Sequence, residues 1–456
     1  MMHFHFTEAL LPDGWVHNVR VRVDARGMID RLHIGVDAAP GDEIVAIGLP
    51  GLGNLHSHAF QRGMAGLTEF KTAQRDDFWT WRECMYAFVA ELNPDDVEAI
   101  AALAYCEMLE SGFTSVGEFH YLHHDRDGTP YADRAEMGRR IATAADRTGI
   151  ALTLLPVFYR RAGFDEAPLS ARQARFYHDR DGYAALVEAS QLALAGLDNA
   201  RLGIAPHSLR AVSIDDIQSA LGLITDGPVH IHIAEQIAEV EASLKAHARR
   251  PVAFLFDHLP VDERWCLVHA THINPAESGR IASADAIIGL CPQTEANLGD
   301  GIFPARPFQV QGGQFGIGTD SHIRIDLSEE LRTLEYSQRL IQRSRTCLTE
   351  EDVSNGRWLF QKALAGGAQA LNQPARGIDL GERADIIALD PDDPMLAGRR
   401  ADRALDTWIF AGDSRQVKTV WVGGRRVVDN GRALCRDRVN ASYADTARRV
   451  LERMGS

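Results

Sequence analysis

Residues 49–58 read Leu49-Pro50-Gly51-Leu52-Gly53-Asn54-Leu55-His56-Ser57-His58, an apolar, glycine-punctuated run that ends on two imidazoles one residue apart. Strand side chains alternate faces with period two, so a strand here points His56 and His58 the same way and lets them share one cation. Three more polar groups close short apolar runs downstream: His232 in His232-Ile233-Ala234-Glu235, then His269, then Asp320 in Gly318-Thr319-Asp320. Functional groups delivered from the ends of several strands are the pattern of a barrel that works at one rim. Four nitrogen or oxygen ligands, His56, His58, His232 and Asp320, with a position left open for water suit a catalytic Zn²⁺, one per subunit, with Fe²⁺ as the competitor.

Working outward from that run, residues 48–325 alternate short apolar stretches with helical segments. The strands are expected at 47–55, 114–118, 151–157, 201–205, 229–233, 266–269, 286–290 and 315–318. Eight strands separated by helices predict an α/β chain with a (β/α)8 barrel. One helix is well signed: Asn93 as N-cap, Pro94 in the first turn, Asp95 and Asp96 at the positive dipole end, Gly112 as terminator. Both termini have a β texture. Val19, Val21 and Val23 alternate with arginines before a turn at Gly27, and 384–389, 417–422 and 425–428 are strand-like, the last two joined by Gly423-Gly424. The expected organisation is a composite β-sandwich domain from 1–47 and 376–456, with the metal-dependent hydrolase barrel over 48–375.

At 456 residues the chain has room for a barrel of roughly 250 to 350 residues and a smaller domain. It is 45% apolar and 24% charged, and no stretch approaches the roughly 20 apolar residues of a bilayer span. The opening residues carry neither a basic head nor a long apolar core, which places the chain in the cytoplasm. With 48 basic against 63 acidic residues, a net −15, nucleic acid is not an expected partner, nor is a membrane. Six scattered cysteines without a Cys-x-x-Cys pair argue against a disulfide framework or a thiolate zinc site and read as small buried hydrophobes.

Several candidates have a bland alternative. His230 shares a strand face with His232 and by spacing alone is open as a ligand; its deeper place in the barrel assigns it to the core. His120, His123, His124, His272 and His322 read as solvated or structural. Glu235 could be a helix N-terminal acid stabilised by the dipole. Arg82 could be a surface helix arginine paired with Glu83 or a neighbouring acid.

In combination the motifs resemble those of the amidohydrolase superfamily over essentially the whole chain. They are Pro50-Gly51-x-x-Asn54-x-His56-x-His58, His232-x-x-Glu235, the strand-six His269, Gly318-Thr319-Asp320, and Gly381-Glu382-Arg383-Ala384-Asp385-Ile386 opening the terminal β part. Binuclear members of that superfamily bridge two metals with a carbamylated lysine at the end of strand four. Here that strand ends Ile204-Ala205-Pro206-His207-Ser208-Leu209-Arg210, and no lysine lies between Lys71 and Lys245, so one metal is expected. His232-x-x-Glu235 is similar to the cytosine- and guanine-deaminase-like branch. The resemblance implies that Glu235 moves a proton from the attacking water to the leaving nitrogen. Asp320 then ligates the metal and orients that water, and His269 hydrogen-bonds to it or stabilises developing charge.

The loops narrow the resemblance to formimino deiminases. The stretches concerned are 58–66, 77–86, Phe119-His120-Tyr121-Leu122-His123 and Pro206-His207-Ser208-Leu209-Arg210. This implies hydrolysis of N-formimino-L-glutamate, a small dicarboxylate, to N-formyl-L-glutamate and ammonia, a step of histidine degradation, by a homodimer. Arg82 and Arg210 would each grip a carboxylate through paired N–H donors, while Gln61, Tyr121 and His207 add hydrogen bonds. The alternatives are a guanine- or other heterocyclic-base deaminase of the same superfamily, and a catalytically dead barrel kept as a scaffold.

Overall fold

Gly51 divides the opening apolar run in two. In the computed structural model, which describes residues 2–71 and 78–455, Glu43–Pro50 belongs to the sheet of the termini and Leu52–Ser57 is the first barrel strand. The single strand expected over 47–55 is therefore two. The chain changes sheet where its backbone passes Thr114 so closely that a Cβ on Gly51 would meet Thr114 Cγ2 at 2.2 Å. The Gly51 N–H donates instead to the Asp385 carbonyl, at 3.0 Å.

The other barrel strands fall within a few residues of expectation. Phe113–His120, Ala151–Phe158 and Ala200–Leu202, which resumes at Ala205–Pro206, follow the first strand. Val229–Ile233, Trp265–His269, Ile287–Leu290 and Gln314–Ile317 form the other half. Within each half the pairing is parallel. Isolated parallel bridges close the circle, Ile204 with Val229 and Ser208 with His232 at one seam, Ser57 with Asp320 at the other. The helix Pro94–Ser111 has the expected Asn93/Asp96 capping box and ends on Gly112 in the left-handed region.

One end of the barrel is plugged. Leu55, Cys266, Val268 and Ile287 pack with Ala370 and Leu371 at the end of the helix Asn355–Ala370. The Leu371 carbonyl accepts from Thr153 Oγ1 at 2.7 Å, and His230 Nε2 donates to the Ala370 carbonyl at 2.8 Å. His230 thus belongs to this floor. His56, His58, His232, His269 and Asp320 gather at the opposite rim.

The termini form one eight-stranded sheet in the order Arg432–Ala433, Arg425–Asp429, Val417–Val422, Ile386–Leu389, Glu43–Pro50, Met2–Leu11, Gly14–Val23, Ile29–Ile34. Only Met2–Leu11 and Glu43–Pro50 pair in parallel. Phe4, Phe6, Val19, Val21, Ile386 and Trp421 make its own apolar cluster. The expected hairpin turns on Gly423 and Gly424, both at positive φ, as a tight primed turn requires. Two helices here, Asp402–Ala411 and Arg436–Met454, were not among the expected elements. The second lies against Pro94–Ser111, where Arg453 pairs with the buried Asp96 at 2.5 Å. Among the described residues no helix is long and apolar enough to cross a membrane. All six cysteines are free thiols; four are buried as expected, whereas Cys84 and Cys435 are partly exposed.

Candidate metal centre and substrate pocket

His56 and His58 leave the end of the first strand on one face, fully or almost fully buried. The eighth strand meets them through Asp320. Its N–H donates to the His56 carbonyl at 3.0 Å, and its carbonyl accepts from the His58 N–H at 3.1 Å. Asn54 fixes the same junction, its amide nitrogen donating to Thr319 Oγ1 at 2.6 Å while its oxygen accepts from the Thr319 N–H at 3.0 Å. Gly318 is needed because a Cβ there would come within 2.8 Å of the His56 backbone. The Asn and the Gly of the two motifs are therefore the parts that hold strand one to strand eight.

Four donor atoms converge. His56 Nε2 lies 3.1 Å from His232 Nε2 and 3.5 Å from Asp320 Oδ1, and His58 Nε2 lies 3.3 Å from the same oxygen. His58 Nδ1 donates to the Phe119 carbonyl at 2.8 Å and His232 Nδ1 to the His207 carbonyl at 3.1 Å, so each presents a bare Nε2 lone pair to the centre. Ligands about 2.0–2.1 Å from a tetrahedral ion sit about 3.3 Å apart, which is the spacing found. Burial holds His56 down at about 3 and His58 and His232 low, so all three are neutral. Burial works against the Asp320 carboxylate, but the His56 contact and the neighbouring imidazoles keep it well below the usual carboxylate range. Neutral imidazoles and an ionised carboxylate facing one another in a dry site fit a divalent metal site.

Glu235 and His269 stand beside these donors, with Glu235 Oε1 3.7 Å from His269 Nε2. Glu235 precedes the helix Ile237–His247, and the acid in that helix's first turn is Glu239, whose carboxylate accepts from the Ala234 and Glu235 N–H groups. The dipole role open to Glu235 in the sequence thus falls to Glu239. Burial pushes the Glu235 carboxyl up to about 7. Burial also opposes a charged His269, but Glu235, Glu295 and Asp320 outweigh it and raise the imidazole to about 10. His269 Nδ1 donates to Glu295 Oε1 at 3.3 Å, turning Nε2 toward the pocket. Ala234, His269, Ala270, Asp320 and His322 all have positive φ. Such backbone costs about 1–3 kcal/mol per residue and here concentrates at the strand ends that aim the working groups.

Above the donors a single pocket is lined by Gln61, Arg82, Tyr121, His207 and Arg210 together with His58, His232, Glu235, His269 and Asp320. Of the expected site residues only His56 lies beneath its wall, fully buried. Gln61 Nε2 donates to the Tyr121 hydroxyl at 2.7 Å, and its Oε1 is buried without a partner. His207 Nδ1 lies 3.1 Å from Ser208 Oγ. Arg82, on the helix Phe78–Glu91, lies 5.1 Å from the Tyr86 ring centroid and 5.6 Å from that of Trp79, and donates to the Tyr159 hydroxyl at 3.2 Å. Its neighbour Glu83 pairs with Arg172, so among the described residues the ion pair with Glu83 open to Arg82 in the sequence is not formed. Arg210 Nε is buried without a hydrogen-bond partner. Among the described residues neither arginine has a carboxylate within ion-pair distance, although the molecule is laced with arginine ion pairs. Asp77, quoted with the Arg82 stretch, lies outside the described residues.

Several contributors escape the sequence. Glu118 accepts from Ser57 Oγ at 2.5 Å, from the Ala59 N–H at 2.8 Å and from the Tyr105 hydroxyl at 3.0 Å, bracing the loop between His56 and His58. His322, expected to be solvated or structural, is buried and joins that network through Ser57 Oγ at 3.0 Å and Thr319 Oγ1 at 2.8 Å. Tyr86, Tyr159 and Phe176 complete the wall. The other histidines are structural: His123 bonds the Val157 carbonyl, His124 that of Tyr177 and His272 that of Asp300. His120 is buried with both ring nitrogens unpartnered.

Comparison with known proteins identifies the family. Residues 47–427 match the model of the Amidohydrolase family, and residues 1–46 that of Formimidoylglutamate deiminase HutF, N-terminal domain. A formimidoylglutamate deiminase of Pseudomonas aeruginosa is 48% identical over 446 residues, 97% of this chain and 98% of that protein. A 5-methylthioadenosine/S-adenosylhomocysteine deaminase of Natronomonas pharaonis is 27% identical, covering 93% and 91%. The crystal structure of an amidohydrolase from Brucella melitensis superposes with a TM-score of 0.96 at 48% identity, over 99% of this chain and 100% of that one. An adenosine deaminase from Xanthomonas campestris with bound zinc shares the fold at TM-score 0.82 and 22% identity, over 99% and 98%. A family match over 47–427 and a relative 48% identical along nearly its whole length establish that this chain belongs to the amidohydrolase family, in the group that includes formimidoylglutamate deiminase.

Proposed function

We propose that the protein hydrolyses N-formimino-L-glutamate to N-formyl-L-glutamate and ammonia, in the cytoplasm and within histidine degradation. The observation that carries this reading is the pair of guanidinium groups, Arg82 and Arg210, that line one pocket with His58, His232 and Asp320 and, among the described residues, have no carboxylate within ion-pair distance. A ligand with two carboxylates and a small amidine head supplies what that arrangement lacks. The 48% identical relative, a formimidoylglutamate deiminase, points the same way.

His56, His58, His232 and Asp320 would hold one Zn²⁺, with Fe²⁺ the competitor. A divalent cation bound there supplies Lewis acidity that brings the pKa of a water toward about 7. Glu235 takes one proton from the attacking water and delivers it to the imino nitrogen. It then takes the hydroxyl proton of the tetrahedral intermediate and delivers it to the same nitrogen as the C–N bond breaks, releasing ammonia and leaving the formyl group, a task suited to a carboxyl held near 7. His269, charged and turned by Glu295, donates from Nε2 to the oxygen that gains negative charge. Arg82 and Arg210 bind the carboxylates and, with Gln61, Tyr121 and His207, set the formimino carbon against the water. The segments 1–47 and 376–456 act as one composite domain beside the barrel, 48–375, and the working form is a homodimer, as the resemblance implies.

The aromatic wall of Trp81, Tyr86 and Phe176 supports a second reading, a deaminase of a planar heterocyclic base. Measuring kcat/KM for formiminoglutamate and guanine side by side separates the two. The proposal expects turnover of formiminoglutamate with release of ammonia; preference for guanine would overturn it.

A further inference from the structure

Cys106 and Cys435 are 329 residues apart in sequence, yet their sulfurs lie 3.1 Å from each other. Cys106 is fully buried on the helix Pro94–Ser111, and Cys435 is partly exposed as the N-cap residue of the 19-residue helix Arg436–Met454. Neither cysteine lines the substrate pocket. We propose that these two thiols form a reversible oxidation site for hydroperoxides, with Cys435 the attacking sulfur and Cys106 the resolving one.

The geometry assigns the two roles. Cys435 is reachable from solvent, at the positive end of a long helix and near Arg438, while its neighbour Arg436 is paired with Glu107 and Glu110; Cys106 is buried. Either sulfur can donate in the contact between them; a hydrogen bond from Cys106 and the Arg438 charge favour the Cys435 thiolate, against its partial burial and the nearby Glu110. Cys106 is pushed far the other way by its contact with Cys435 and by burial. Burial raises Cys84, Cys266, Cys291 and Cys347 as well, so Cys435 is the one thiol whose surroundings favour its anion.

The steps balance. The Cys435 thiolate attacks one peroxide oxygen, an S–O bond forms as the O–O bond breaks, and the departing hydroxide takes a proton to become water. Cys106 then loses its proton and attacks the Cys435 sulfur; the S–S bond forms, the S–O bond breaks, and hydroxide leaves with that proton as a second water. Two thiols and one hydrogen peroxide give one disulfide and two waters. The sulfurs need to close by about 1 Å to the usual bond length of about 2.05 Å, a side-chain adjustment. In a reducing compartment such a bond is transient, as expected of a sensor and not of a structural staple.

Treating the intact protein with low hydrogen peroxide, counting thiols and mapping peptides without reductant tests this. The expected result is loss of two of the six thiols, one cross-linked peptide pair holding Cys106 and Cys435, and full recovery with dithiothreitol. Cys106→Ser should leave Cys435 as a sulfenic acid that a dimedone probe labels, and Cys435→Ser should leave Cys106 unreactive. The proposal is overturned if Cys435 stays reduced while Cys84 oxidises, or if Cys106 remains free while Cys435 bridges two molecules.

Discussion

Burial raises the Glu235 carboxyl to about 7, so at neutral pH it can both take and return a proton. The sign is set by the charge the role needs. Below its pKa the carboxyl holds its proton and cannot serve as base; above it the carboxylate is ready, and a bound dication moves the value lower. We therefore expect kcat/KM to fall on the acid side with one apparent ionisation at or below about 7. Glu235→Gln should retain the metal and lose turnover by about 10²–10⁴-fold, since that is the range general acid–base groups supply. Near-normal activity in that variant would remove the proton-shuttle role. Arg210→Met should raise KM for formiminoglutamate about 10- to 100-fold, the loss of one charge-assisted contact of about 1.5–3 kcal/mol, with a smaller change in kcat. An unchanged KM would count against carboxylate capture.

At the scale of elements, two asparagines with similar chemistry have separable roles. Asn93 caps Pro94–Ser111 through the Asp96 N–H, far from the pocket. Asn93→Ala should cost about 1 kcal/mol in denaturant unfolding and leave kcat/KM unchanged. Asn54 joins strand one to the Thr319 turn that delivers Asp320. Asn54→Ala should weaken metal affinity about 10- to 100-fold, read by competition with a chelator, because partners that orient ligands are worth that much. The ends of strands one, five, six and eight were legible in the sequence because each places its polar residue directly after an apolar run. Glu118 was not: it lies inside a buried strand, and only the fold shows that Ser57, Ala59 and Tyr105 converge on it. The helix Arg436–Met454 was legible in principle, since Val439, Thr446 and Val450 recur at helical spacing, but the reading of the terminal segment rested on the β-rich run before it.

For the molecule as a whole, the barrel and the β part of the termini were readable because strand-length apolar runs alternate with helical stretches in one region and with turns in the other. What the sequence hid was where one unit hands over to the next. At Gly51 a continuous apolar run changes sheet, for a steric reason that only the approach of Thr114 reveals. The same convergence that makes the metal donors one site makes them a burden without a cation. Three neutral imidazoles and a carboxylate share a dry core, so metal at about a hundredfold excess over its dissociation constant should stabilise the fold by about 2.7 kcal/mol. Chelation should lower Tm and abolish turnover together, and both should return when zinc is added back.

Anomalous diffraction from crystals of the purified protein, with elemental analysis of the same preparation, tests the metal centre most directly. One ion per chain is expected, within about 2.0–2.2 Å of His56 Nε2, His58 Nε2, His232 Nε2 and Asp320 Oδ1. An ion bound elsewhere, or fully active protein with no transition metal, would contradict it.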